Sequence, residues 1–266
     1  MAARAKRSKD VEEVRAYYRG ILPFYELETA GRSDLKFWPR LAARWKSRRV
    51  LELGSGLGRV MSEVARHAPL LAGIDISFEM LSRASHRLAA GRARLLAADM
   101  RELPFSEAFD LVIAPSDPFS HLTCTAERRI ALKEVARVLA PGSFFVLDAL
   151  YRPDSASQRT RRVTLPSGIL TIREAWRPLS EAGLWRAQYS YLWRDKDRTR
   201  DAQAEFTARA WNPRELRPFF ASCGLAIEKL WGNLGGGPFR RRSRRLIVVA
   251  RPARFMHGGD SHHGQE

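Results

Sequence analysis

The chain has 266 residues, 45% of them hydrophobic, enough to bury a sizeable core, and is read as one globular domain with some elaboration. Every apolar run falls short of the ~20 residues of a membrane span, and the N-terminus Met-Ala-Ala-Arg-Ala-Lys-Arg has no apolar signal core. Two cysteines, Cys124 and Cys223, are too few for a disulfide framework or a cysteine-rich zinc site, so the expectation is a cytoplasmic protein with no membrane partner and no metal. The formal net charge is +17, with +6 over residues 1–150 and +11 over residues 151–266, which keeps nucleic acid and anionic substrates open as partners.

In chain order, residues 1–10 read as a loose basic tail. An amphipathic helix follows, with Val11, Val14, Tyr17 or Tyr18, and Ile21 at helical spacing, and Pro23 ends it. A second helical stretch covers 35–45. Strands are then predicted at 49–53, 70–75, 93–97, 109–114 and 143–150. Between them lie helices at 59–67, from the N-cap Ser77 to residue 90, and from Thr125 to near Pro141-Gly142. This alternation predicts an α/β fold: a doubly wound, mostly parallel seven-stranded sheet, with ligands beyond the carboxyl ends of its strands. Residues 160–211 change pattern and read as an inserted antiparallel β meander, with turn signals at Pro166-Ser167-Gly168 and Glu181-Ala182-Gly183. A helix at 213–223 and strands at 225–231 and 246–250 complete the sheet. The expected organisation is a tail at 1–10, one domain at 11–254 with the insertion at about 155–212, and a disordered tail at 255–266 whose histidines are not read as a metal site.

The most informative stretch is Val50-Leu51-Glu52-Leu53-Gly54-Ser55-Gly56-Leu57-Gly58-Arg59. A buried strand ends here in alternating glycines, which let backbone approach a nucleotide-like ligand closely. The dinucleotide fingerprint would need glycine at position 59, where Arg59 stands. Asp75 closes the second strand, where a carboxylate can accept hydrogen bonds from both hydroxyls of a ribose. Asp99-Met100 follows the third, where a carboxylate can accept from an adenine amino group and a backbone amide can donate to a ring nitrogen.

Together these motifs resemble the class I S-adenosylmethionine-dependent methyltransferases, from about Val11 to Arg251, with Phe-Asp-Leu-Val-Ile-Ala as the fourth strand of that family's Rossmann-like sheet. The resemblance implies S-adenosyl-L-methionine as cofactor. It places Gly54, Ser55, Gly56 and Gly58 along the methionine portion, Glu52 at its amino group, and the backbone of Ala114 at the same end. Asp75 with Ile76 would then meet the ribose, and Asp99 with Met100 the adenine. More narrowly, Ser120-His121-Leu122, the meander, and Tyr17 with Tyr25 are similar to the small-molecule N-methyltransferases of nucleotide-linked amino sugars. There His121 is the candidate base, and Tyr17 lies near the reacting centre. Asp117 and Asp148 are reserve candidates for orienting a cationic substrate.

The expected activity is methyl transfer to a small-molecule acceptor, an amine above all, by in-line displacement. Two alternatives stand beside it: an RNA methyltransferase using the basic C-terminal half, and a cofactor-binding protein without catalysis. Against RNA, Ala-Pro-Ser-Asp-Pro after the fourth strand lacks the Asn-Pro-Pro-Tyr type of element used on exocyclic base amines. The five arginines between Arg240 and Arg245 could clamp a diphosphate, contact RNA, or form a solvated loop. Tyr189, Tyr191 and Trp193 share a strand face, read as a cover for the substrate pocket, a homodimer interface, or a core against the main sheet.

Overall fold

The computed structural model describes residues 2–29, 32–88, 93–106, 108–152 and 155–253, with side chains from residue 11 onward. A seven-stranded sheet forms in the order β10-β11-β5-β4-β1-β2-β3. Its strands are β1 (Arg49–Leu53), β2 (Leu70–Asp75), β3 (Arg94–Ala97), β4 (Phe109–Ala114), β5 (Leu139–Ala149), β10 (Leu225–Trp231) and β11 (Leu246–Pro252). β1 pairs in parallel with β2 and β4, β4 with β5 and β2 with β3, whereas β11 runs antiparallel to both β5 and β10. β1 is buried on both faces, as a central parallel strand requires. Leu51 and Leu53 join the side that holds α5 (Thr125–Val138) and α6 (Leu216–Ala221). Val50 joins the side that holds α2 (Phe37–Arg44) and α3 (Arg59–Val64).

The meander is a separate sheet of four antiparallel strands, β6 (Ser157–Leu165), β7 (Gly168–Pro178), β8 (Leu184–Arg194) and β9 (Thr199–Arg209). Period-two alternation puts Trp185, Ala187, Tyr189, Tyr191 and Trp193 on one face of β8. Part of that face, at Trp185 and Ala187, packs with Leu150 at the end of β5. Ile21 and Phe24 of α1 (Ala2–Thr29) pack into it against Leu170, Ile172, Tyr191 and Trp193.

Two expectations for the N-terminus fail. Residues 2–10 are helical rather than a loose tail, and the helix runs through Pro23 to Thr29. Proline in a helix interior costs about 3 kcal/mol through a lost hydrogen bond and ring crowding. Here its neighbours Ile21 and Phe24 are both buried, and their burial against the meander offsets that cost. On its other side α1 is tied to α4 (Phe78–Arg87) by Arg19 on Glu79 at 2.8 Å and by Glu26 between Arg83 and Arg87. Elsewhere the differences are at ends. α5 stops at Val138, and β5 starts at once with Leu139 opposite Phe109, so that Pro141-Gly142 falls inside the strand segment. The C-terminal tail expected at 255–266 lies outside the described residues, among which no helix is long and apolar enough to cross a membrane.

The junction of α1 with the meander centres on Glu28. Its carboxylate accepts from Tyr191 Oη at 2.9 Å, from Arg32 at 3.0 Å and from Arg161 of β6. Glu28→Gln keeps the shape and removes the charge that compensates two guanidiniums. Because both arginines are partly exposed, the expected loss is about 2 kcal/mol, less than for a fully buried pair. Urea unfolding checks it, and an unchanged midpoint would show that Glu28 does not hold the junction.

Candidate functional site

Gly54, Gly56 and Gly58 all adopt left-handed backbone, at φ 65°, 50° and 67°. That alternation needs glycine, since side chains rarely tolerate this region. The loop is held from β2: Ser55 N donates to the Ile74 carbonyl at 2.9 Å, and Gly56 N donates to Asp75 Oδ2 at 2.8 Å. The other carboxylate oxygen, Oδ1, accepts from Ser77 N at 2.8 Å, and Ser77 in turn caps α4 by accepting from Met80 N. Asp75 therefore joins the glycine loop to the start of α4. Burial raises its pKa above the ordinary carboxylate value, partly opposed by these backbone donors.

A Cβ added to Gly54 would stand 2.6 Å from Pro118 Cβ. Gly54→Ala is thus expected to displace either the loop or the segment after β4, lowering affinity for S-adenosylhomocysteine about tenfold by calorimetry. Retained affinity would show that the close approach is dispensable. Gly73, which the sequence reading passed over, is equally constrained: its Cβ would meet Met61 Sδ at 2.3 Å and Ser55 Cβ at 2.9 Å. The available signal was a lone glycine inside an apolar strand, a mark of close backbone approach.

Beyond the strand ends lies a cavity lined by Gly54, Gly56, Asp75, Ile76, Asp99 and Met100, six of the residues expected at a cofactor site. His121 also lines it, with Pro115, Ser116 and Pro118 of the segment after β4. Its roof comes from α1, through Val11, Val14, Tyr18 and Tyr25. Arg15 fixes this roof by donating from Nε to the carbonyl of Ile76 at 2.7 Å.

Other expected residues lie elsewhere. Ser55, Gly58 and Ala114 are not in the walls, and Ala114 is fully buried in the core. Glu52 lies on the strand face of Val50, away from the cavity, and accepts from the backbone amide of Met61. Burial there holds its pKa well above the ordinary range. Asp99 is engaged by Arg101, whose Nε lies 3.0 Å from both carboxylate oxygens and whose other end reaches Glu127 of α5 at 2.6 Å. Asp117 and Asp148 are also taken: Asp117 Oδ2 accepts from Leu150 N at 2.6 Å and Trp211 Nε1 at 2.9 Å, and Asp148 pairs with Arg245. Neither lines the cavity, although Asp117 Oδ1 is buried without a partner among the described residues. Asp117 instead braces a bend in which both Ser116 (φ 58°) and Asp117 (φ 50°) are left-handed without being glycine, strain of the sort that collects at functional sites.

The tyrosine facing the cavity is Tyr18, not Tyr17. Tyr18 Oη and His121 Nε2 share a hydrogen bond of 3.0 Å, while Tyr17 rests edge-on against Phe206 of β9. Helical geometry explains the difference. At 100° per residue, positions seven apart nearly coincide around the axis and positions eight apart diverge by roughly 80°. Tyr18 and Tyr25 therefore share the stripe of Val11 and Val14, and Tyr17 turns to the meander. His121 is half-buried, and its buried Nδ1 has no partner among the described residues. Burial lowers its pKa to about 4, so the ring is neutral at physiological pH.

The strand order, the left-handed glycine loop and the acidic residue closing β2 define a Rossmann-like α/β fold with a cavity at its strand ends. Residues 50–142 match the family model described as a methyltransferase domain. The chain is similar to a putative methyltransferase of Bacillus subtilis, 33% identical over 38% of this chain and 41% of that protein, so the match spans less than half of the relative's length. It is similar also to the cypemycin N-terminal methyltransferase of a Streptomyces species, 26% identical over 76% of this chain and 82% of that one. Among solved structures, an amino pentose methyltransferase from Micromonospora echinaspora with S-adenosylmethionine bound superposes with a TM-score of 0.70 at 23% identity, covering 86% of this chain and 94% of that one. A sugar N-methyltransferase from a Streptoalloteichus species gives 0.69 at 19% identity, with 87% and 91% covered. Residues 50–142 therefore carry a methyltransferase domain, and one of the structural neighbours holds S-adenosylmethionine.

Proposed function

We propose that the enzyme methylates a small-molecule amine in the cavity bounded by the glycine loop, the turn at Pro118–His121 and α1. The observation that carries this reading is the His121 and Tyr18 pair: a half-buried, neutral imidazole with an unpartnered nitrogen, roofed by a helix. A roofed cavity suits a small acceptor better than a polynucleotide strand. The names of several similar proteins support it, among them the cypemycin N-terminal methyltransferase, an amino pentose methyltransferase and a sugar N-methyltransferase.

When bound, the cofactor supplies an activated methyl group on a sulfonium, so the protein's task is alignment. In this reading Gly54 and Gly56, both in the cavity wall, present bare backbone to the methionine end. Asp75 would take the ribose with the acceptor capacity that its two amide donors leave. Asp99 and Met100, with Ile76 beside them, would meet the adenine, and Arg101 would fix the direction of Asp99. His121 would donate from Nε2 to Tyr18 Oη, leaving the Nδ1 lone pair for a hydrogen on the nucleophile. That tautomer orients the acceptor and takes its proton as the new bond forms.

The test is turnover of methyl-labelled cofactor against matched small amines and alcohols and against total RNA, at low and at moderate salt. The reading expects amine methylation that is insensitive to salt. Methylation of RNA alone, falling steeply with salt, would overturn it.

A further inference from the structure

A second cavity, of about 790 Å³, opens where the meander meets the main sheet, and it shares no wall residue with the first. Its size is within the range of small-molecule pockets. Five arginines line it, Arg128, Arg152, Arg209, Arg214 and Arg241, against one carboxylate, Glu215. Two are already committed: Arg128 to the main-chain oxygens of Leu122, Ala210 and Arg209, and the Arg209 side chain to those of Thr123 and Ala182 and to the carboxylate of Glu181. Arg128 lies almost fully buried, its pKa lowered to about 10 by desolvation and by the neighbouring Arg209 despite the opposing pull of Asp117.

The other three are available. Arg152 stacks 4.0 Å over Trp176 and has a buried Nε with no partner among the described residues. Arg214 and Arg241 are exposed, and their side chains make no ion pair among the described residues. Between these cations stand flat apolar surfaces: Trp185, Tyr151, Phe219 and Phe239. Arg214 and Arg241, which have no ion-pair partner among the described residues, favour an anion, and guanidiniums beside aromatic rings favour one that carries a flat apolar part.

We propose that this cavity is a binding site for an organic anion that joins a phosphate-like or carboxylate group to an aromatic or similarly flat body. It is independent of the acceptor assigned to the first cavity. Arg214 and Arg241 would grip the anionic group at the mouth, with Arg152 deeper in. The rings would take the flat part.

The test is calorimetric titration of the full chain, saturated with S-adenosylhomocysteine so that the first cavity is filled, with 1-naphthyl phosphate, 1-naphthol and inorganic phosphate. The expected result is binding of 1-naphthyl phosphate at one site, at least about tenfold tighter than either fragment. Arg214→Glu combined with Arg241→Glu, both at exposed positions, is expected to weaken it by about tenfold or more while affinity for S-adenosylhomocysteine stays within about twofold. No binding at ~1 mM, equal binding by inorganic phosphate, or affinity unmoved by the charge reversals would each overturn the proposal. Competition by S-adenosylhomocysteine would do so as well, by placing the ligand in the first cavity.

Discussion

Asp75→Ala is expected to weaken S-adenosylhomocysteine binding by at least about a hundredfold in calorimetry, equivalent to about 3 kcal/mol. Two losses combine. In the proposed site the carboxylate receives the ribose hydroxyls, and in the chain itself it already accepts from Gly56 N and Ser77 N, each at 2.8 Å. Without it, both the glycine loop and the start of α4 lose an anchor, and buried amides are left without an acceptor. Asp75→Asn separates this account from one based on charge alone. An amide has a single accepting oxygen, so its NH2 group would face one of the two backbone N–H donors, and the nominal isostere should lose nearly as much as alanine. Affinity within tenfold of the parent for either variant would remove Asp75 from the site.

The fold was legible wherever a local pattern had one cause. β1, β2 and β4 begin and end at the residues expected, because central parallel strands are continuous apolar runs bounded by polar or glycine turns. Ser77 was readable as an N-cap because capping depends on the residue itself and the three that follow. What failed depended on partners distant in sequence. Nothing near Pro23 announces that Ile21 and Phe24 will be buried by β7 and β8, some 150 residues onward, so the helix was expected to stop. The same limit governed the site. Gly54, Gly56 and Asp75 could be placed because the strand ends that carry them bracket one turn. Asp117 and Asp148 also sit near strand ends, but their partners, Trp211 and Arg245, arrive from much later in the chain and hold them outside the cavity walls. Tyr17 differs from these cases: its displacement by Tyr18 follows from helical angle alone and was available in the sequence.

His121→Ala is expected to lower kcat/KM by about a hundredfold or more, the usual range for a positioned acid or base, with cofactor affinity within about twofold. Tyr18→Phe, which removes the partner of Nε2 and leaves the ring in place, should cost about tenfold. The pH behaviour distinguishes this role from that of an ordinary histidine base. Because burial lowers the pKa of His121 to about 4, the ring is neutral throughout pH 6–9, and the enzyme should show no acidic limb near 6.5 from this residue. For an amine acceptor the rate should instead rise with pH as the free amine forms. Stability carries the opposite signature. Below pH ~6.5 the unfolded chain takes up a proton that the folded chain refuses until about pH 4, so stability falls through that window, by about 3 kcal/mol at full extent. His121→Gln should abolish that slope, read as a smaller drop in urea midpoint between neutral pH and pH ~4.5 than in the parent. A parent enzyme with a kinetic limb near 6.5 that vanishes in His121→Gln would mean that the imidazole is solvated and titrates normally, and the tautomer assigned to it would have to be abandoned.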